Sequence, residues 1–186
     1  ILTPNLRDNS WMSPAAVKDL HALLEVVRMK WRVRSFVFFS GSMGGTGNLI
    51  YAISHPADVA AVAALGAVCD LAGYHKWCMA SATPIVREIG TAIEHNYGGP
   101  PSTNPAPYQA HDVLLHARRL TMPAFLAHGG RDNLMLPDQL RSLAALHAQT
   151  PVVQFEELAG AGHDAPIFMP EALTWLDSCM SETQKD

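Results

Sequence analysis

Residues 33–47, VRSFVFFSGSMGGTG, limit what this chain can fold into more than any other stretch. Val33 to Phe39 is β-branched, aromatic and short, and it closes on the small residues Ser40 to Gly47, a pattern that predicts a buried strand running into a tight turn. From Met43 to His55 the spacing turns helical, and Pro56 ends it. A strand that bends into a helix through Ser40-Gly41-Ser42-Met43-Gly44-Gly45 holds Ser42 at the bend. Small neighbours let strand and helix close up and let a substrate reach the hydroxyl. The competing reading is a Gly-rich phosphate-binding turn, but neither the GxGxxG spacing nor a Walker Lys-Ser/Thr pair is present.

The same alternation continues along the chain. Ala61 to Val68, Ala124 to His128 and Val152 to Glu157 read as further strands, with helices over Pro14 to Lys30, Asp138 to Gln149 and Glu171 to Met180. Strands alternating with helices predict an α/β fold with a mostly parallel sheet and helices on both faces. Residues 71–123 break the pattern. They hold Trp77, a helix from Pro84 to His95, a Gly98-Gly99-Pro100-Pro101 loop and a short helix before Thr121, and an insertion of this kind carries binding surface. With 186 residues the chain is one domain's worth, so 1–186 is expected to be a single domain. The polar tail Ser181 to Asp186 is expected to fray.

A serine hydroxyl is a poor nucleophile without a base, and the base needs an orienting acid. The strand ending at His128 runs into Gly129-Gly130-Arg131-Asp132, and the strand ending at Glu157 leads to Gly160-Ala161-Gly162-His163. Asp132 and His163 thus lie in loops beyond the C-terminal ends of strands, where open α/β sheets build their sites. The chain holds nine histidines, of which His163 is singled out by its Gly-flanked loop; His128 is expected to be a structural residue at a strand end. Asp70, after the preceding strand, is the rival carboxylate, with Asp164 beside the base. Ser40 is the next nucleophile candidate after Ser42.

The serine turn, His128-Gly129-x-x-Asp132 and Gly162-His163, in the order Ser, Asp, His, together resemble the α/β-hydrolase superfamily, in particular its esterase and prolyl-oligopeptidase-like branches. Tyr97-Gly98-Gly99 followed by Pro107-Tyr108 is similar to the latter branch. The resemblance covers about Ser13 to Met180 and implies a serine hydrolase in which Ser42 attacks, His163 relays the proton, Asp132 orients it and the Met43 amide holds the oxyanion. Ser40 stands where the family's elbow usually has Gly. Nothing before Ser13 resembles the family's early strands or the loop that supplies its second oxyanion amide. The nucleophile strand is the family's fifth, so the resemblance implies a C-terminal part of the fold, from that strand onward, with an open sheet edge. Missing N-terminal residues, a second copy of the chain or an overlaid helix would cover that edge.

The expected reaction is hydrolysis of a small carboxylic ester. An acyltransferase or peptidase with the same three residues, and an inactive module that binds a partner, are the alternatives. Trp11, Tyr74, Trp77 and Phe168 are candidates for the substrate walls, each also fitting a core position. Thirteen Lys plus Arg against seventeen Asp plus Glu give a net charge of −4, which with a pI of 6.1 argues against nucleic acid as partner. Charged residues are only 16%, against about 25% in ordinary soluble domains, which fits a surface that becomes covered. No apolar run reaches the roughly 18 residues of a membrane span. No metal-ligand cluster or cofactor fingerprint is visible, so no metal or cofactor is expected. The chain begins at Ile1 rather than Met, which leaves the compartment, cytoplasmic or secreted, undecided. Three cysteines are too few for a disulfide framework; Cys69 and Cys78 pair only in an oxidising compartment, and otherwise all three are thiols.

Overall fold

The computed structural model describes residues 1–147 and 153–183. The chain forms two compact units, residues 1–34 with 70–112 and residues 35–69 with 113–186. Most of the predicted insertion belongs with the N-terminal residues, because contacts distant in sequence tie them together: Tyr97 Oη lies 3.1 Å from the Trp11 carbonyl, and the Trp11 and Tyr74 rings meet at 5.7 Å.

The second unit is a four-stranded parallel sheet in the order β1 (Phe36–Gly41), β2 (Val59–Leu65), β3 (Ala124–Gly129) and β4 (Val153–Leu158). The first strand starts three residues later than its β-branched pattern suggests. Val33 to Ser35 follow Arg32, which is left-handed at φ 55°, and pairing begins where Phe36 meets Val59. The second strand begins and ends earlier than expected: a 3₁₀ turn over Pro56–Asp58 feeds it, and Gly66 at φ 57° stops the ladder after Leu65. The sequence-based end at Gln149 and start at Val152 lie outside the described residues, as does the tail from residue 184.

Between β1 and β2 lies α2 (Met43–Ser54), which packs on both; α6 (Pro137–Leu146) packs on β3 and β4. The last helix, α7 (Met169–Thr183), covers one sheet face through Ala172 and Leu176, against Ala61, Ala63, Leu65, Phe125 and Ala127. Alternation sends Val62, Ala64 and Leu126 to the opposite face, where they are also fully buried, so both faces are covered. Along β2 the run VAAVAAL keeps side chains short, and neighbouring elements approach its backbone closely. Among the described residues β1 has a strand on one side only, and residues 1–13 and 70–123 supply none.

The first unit is helical: α1 (Pro14–Trp31), α3 (Leu71–Ala80), α4 (Pro84–Asn96) and α5 (Pro105–Ala110). Pro sits at the start of α1, α4 and α5, where its missing N–H costs nothing. The third helix packs on both α4 and α5. The bridge considered between Cys69 and Cys78 is not formed in this structure, and burial pushes the Cys78 thiol up to about 11. No helix among the described residues is long and apolar enough to cross a membrane.

Candidate active site

The bend after β1 places Ser42 at φ 57° and ψ −129°, a conformation costing a non-glycine residue about 1–3 kcal/mol. Two hydrogen bonds hold it there: the Ser42 amide donates to the Leu65 carbonyl at the end of β2 (2.7 Å), and its carbonyl accepts from Thr46 as α2 begins (3.0 Å). At the start of that helix the Met43 amide has no intrahelical acceptor and lies at the positive end of the dipole. Ser40 tolerates the usual glycine position because Gly44 faces it. A Cβ on Gly44 would come within 2.8 Å of Ser40 Oγ, which is buried with no hydrogen-bond partner among the described residues.

Asp132 and His163 sit in loops that follow β3 and β4, and those loops touch backbone to backbone. Arg131 N–H donates to the Ala161 carbonyl (2.8 Å) and Gly130 N–H to Leu158 (2.9 Å). A Cβ on Gly129 would fall 2.0 Å from the Gly162 carbonyl oxygen, so only glycine permits this approach. The sequence Gly129-Gly130 therefore sets the spacing between the acid and the imidazole.

The result is a continuous row of hydrogen bonds. His163 Nδ1 lies 2.7 Å from Asp132 Oδ2, and His163 Nε2 lies 2.9 Å from Ser42 Oγ. The carboxylate is 1% exposed and the imidazole 19%, so the row runs from a buried anion to a half-buried hydroxyl. Oδ1 accepts the amides of Leu134 (2.8 Å) and Met135 (2.9 Å), and Oδ2 also meets His128 Nε2 at 3.0 Å. Burial alone pushes the Asp132 carboxyl up, but the bonds from His128, His163 and the two amides outweigh it and hold the group below the usual carboxylate range. An ionised carboxylate only accepts, so the His163 nitrogen that faces it is the donor, and in a neutral ring Nε2 is then an acceptor directed at the Ser42 hydroxyl. Gly66 (φ 57°) lies against this pair; a Cβ there would sit 3.5 Å from His163 Cε1 and 3.8 Å from Asp132 Oδ2.

The remaining sequence-predicted residues lie elsewhere. Asp70 caps its own helix, accepting from Gly73 N–H at 2.9 Å, and Asp164 accepts from Gly162 N–H at 3.1 Å. Trp11 and Tyr74 are buried in the first unit, where Trp77 stacks on Tyr74. Phe168 packs in the sheet core with Leu65, Phe125 and Leu176. His128 is fully buried at the end of β3, but its bond to Asp132 makes it a member of the row, which sequence reading missed. The available signal was its position four residues before the acid, with two glycines between them.

No protein-family model matches the chain, and no curated protein does. Solved structures match well. A candidate dipeptidyl aminopeptidase IV from Bacteroides ovatus aligns with 88% of this chain at 20% identity and a TM-score of 0.66. An esterase from Pyrococcus furiosus aligns with 92% at 15% identity and 0.64, and an alpha/beta fold family hydrolase from Bacillus anthracis with 95% at 14% identity and 0.54. The chain has the α/β-hydrolase fold. It spans 22% of the first of these proteins, 63% of the second and 76% of the third.

Proposed function

We propose that this chain is a serine hydrolase that cleaves a carboxylic ester through an acyl-enzyme. Ser42 attacks the carbonyl carbon while His163 Nε2 takes its proton. The Met43 amide stabilises the oxyanion, and the imidazolium, held by Asp132, returns the proton to the departing alcohol; water then repeats the sequence on the acyl-enzyme. The observation that carries this reading is the row Ser42–His163–Asp132 at 2.9 and 2.7 Å, with the serine on a strained strand-to-helix bend. The Pyrococcus furiosus esterase supports an ester as substrate. A fluorophosphonate probe tests the reading: the expected result is one covalent adduct on Ser42. An unlabelled Ser42 in folded protein, or equal labelling of Ser42→Ala, overturns it.

A second reading, cleavage of an amide by the same residues, is favoured by the likeness to the candidate dipeptidyl aminopeptidase. Matched p-nitrophenyl ester and p-nitroanilide substrates separate the two. The ester reading expects turnover of the ester alone.

A further inference from the structure

We propose that His128 is a positioning residue of this site: its Nε2–H holds the Asp132 carboxylate oxygen that serves His163, and kcat depends on that donor. The inference rests on the hydrolase reading above but assigns a role that reading does not need. Asp132 Oδ2 receives two imidazoles, His163 at 2.7 Å and His128 at 3.0 Å. They differ in setting. His163 is partly exposed in a loop and must exchange its Ser42 partner during a reaction cycle, whereas the His128 side chain is 0% exposed and anchored at the end of β3. The acid is thus fixed from the sheet side as well as by the Leu134 and Met135 amides, so Oδ2 stays in place while His163 gains and loses its proton.

The rest of the ring supports a dedicated donor. Among the described residues His128 Nδ1 is buried with no hydrogen-bond partner. Since Oδ2 of an ionised Asp132 accepts only, Nε2 carries the proton that bonds to it, and the second nitrogen makes no bond among the described residues. A buried ring chosen for packing alone would be apolar at that edge, since an unmet polar atom is unfavourable. Retaining an imidazole there makes sense if one N–H reaching Oδ2 is what the position supplies.

Four forms of the whole chain test this, assayed on a p-nitrophenyl ester with kcat and KM separated: wild type, His128→Leu, His128→Gln and His128→Asn. Glutamine can place an amide N–H near the position of Nε2; asparagine is as polar but one bond too short. The expected result is a kcat about 10- to 100-fold lower in His128→Leu and His128→Asn, with KM within about twofold and His128→Gln within several-fold of wild type. Should His128→Leu not fold, the Gln and Asn pair still decides. Equal kcat in Gln and Asn, or a folded Leu variant as fast as wild type, overturns the proposal. Nitrogen NMR of the wild-type ring gives a test independent of activity: a proton is expected on Nε2, and a ring whose Nε2 carries none refutes the role. Absence of fluorophosphonate labelling at wild-type Ser42 would instead sink the hydrolase reading, while the NMR result still judges the His128 bond.

Discussion

Each unit buries a histidine that bonds to an oxygen, and the two hydrogen-bond networks end at different places. In the helical unit His111, 7% exposed, lies 2.9 Å from Tyr97 Oη, which in turn reaches the Trp11 carbonyl at 3.1 Å. In the sheet unit His128 bonds to Asp132, and the row continues through His163 to the half-buried hydroxyl of Ser42. One network closes on backbone carbonyls and has nothing left to donate. The other arrives at a group that solvent and substrate can reach. Burial does not distinguish them, and neither does a shifted titration: burial pulls His111 down to about 4, although its hydrogen bonds lead only to backbone carbonyls. The end point of the hydrogen bonds is what marks a site, and perturbed titration alone is a weak guide.

The largest effect that can test this contrast is at the reactive end. Ser42→Ala is expected to lower ester turnover at least about 10⁴-fold while changing stability by less than about 0.5 kcal/mol, measured by steady-state hydrolysis and urea unfolding. Retention of most of the wild-type rate would break the comparison at its root. Asp132→Asn follows, with kcat about 10³- to 10⁴-fold lower, because an amide has one accepting oxygen: aimed at the Leu134 and Met135 amides, it turns its NH₂ on the two imidazoles and favours the wrong His163 tautomer. Next is Gly129→Ala, whose Cβ would meet the Gly162 carbonyl oxygen at 2.0 Å. The two loops must part, at a cost of about 3 kcal/mol by analogy with overpacked sites; a stable and fully active variant would show that their approach does not position the row.

Much of the row Ser42–His163–Asp132 is legible in the sequence because each member carries a local signal: apolar strand, small-residue bend, Gly-Gly before the acid, Gly before the imidazole. The contact between Asp132 and the His163 ring is expected from those loops together with the resemblance of the Gly-Gly-Arg-Asp loop to the family's motif, with Asp70 as the rival acid. What local pattern could not convey depended on residues far apart. The helix Leu71–Ala80 went unread because its AGYHKW stretch shows no clear apolar stripe, and its buried Tyr74 meets Trp11 from the other end of the unit. The grouping of 70–112 with the N-terminal residues rests on the same distant contacts. His128 stands at the end of β3 as its sequence position implies, but nothing local in the sequence turns its ring toward Asp132.

Acid sharpens the comparison, since the two networks lose stability in different pH windows. His111 is held low in the folded state while the unfolded chain binds a proton near 6.5, so its neutral burial stabilises fully above that value. The contribution is lost as pH falls from about 6.5 to about 4, by about 3 kcal/mol in all. Asp132, whose folded carboxyl is depressed, contributes stability above the ordinary carboxylate range and loses it only as pH falls below that range. Urea midpoints taken from pH 7.5 to pH 3 should therefore fall first in the window from 6.5 to 4, and His111→Gln should flatten that window alone. A wild-type midpoint constant down to pH 4 would show that His111 is not buried neutral.

The smallest expected effect isolates what the closed network is for. Tyr97 Oη has one hydrogen to give, and two of its neighbours, the carbonyls of Trp11 (3.1 Å) and Met12 (3.4 Å), can only accept. The phenol therefore donates toward them and accepts from His111 Nδ1, whose proton has no better target. Those two carbonyls belong to consecutive left-handed residues, Trp11 at φ 49° and Met12 at φ 50°, each costing an L-residue about 1–2 kcal/mol. Tyr97 is thus the clasp on a strained turn, and Tyr97→Phe keeps the ring while removing it. The loss should be about 1–3 kcal/mol, seen as a lower urea midpoint and as faster amide exchange confined to residues 9–13. If exchange there is unchanged, the turn is held by the Trp11 and Tyr74 ring contact instead, and the hydroxyl merely satisfies His111.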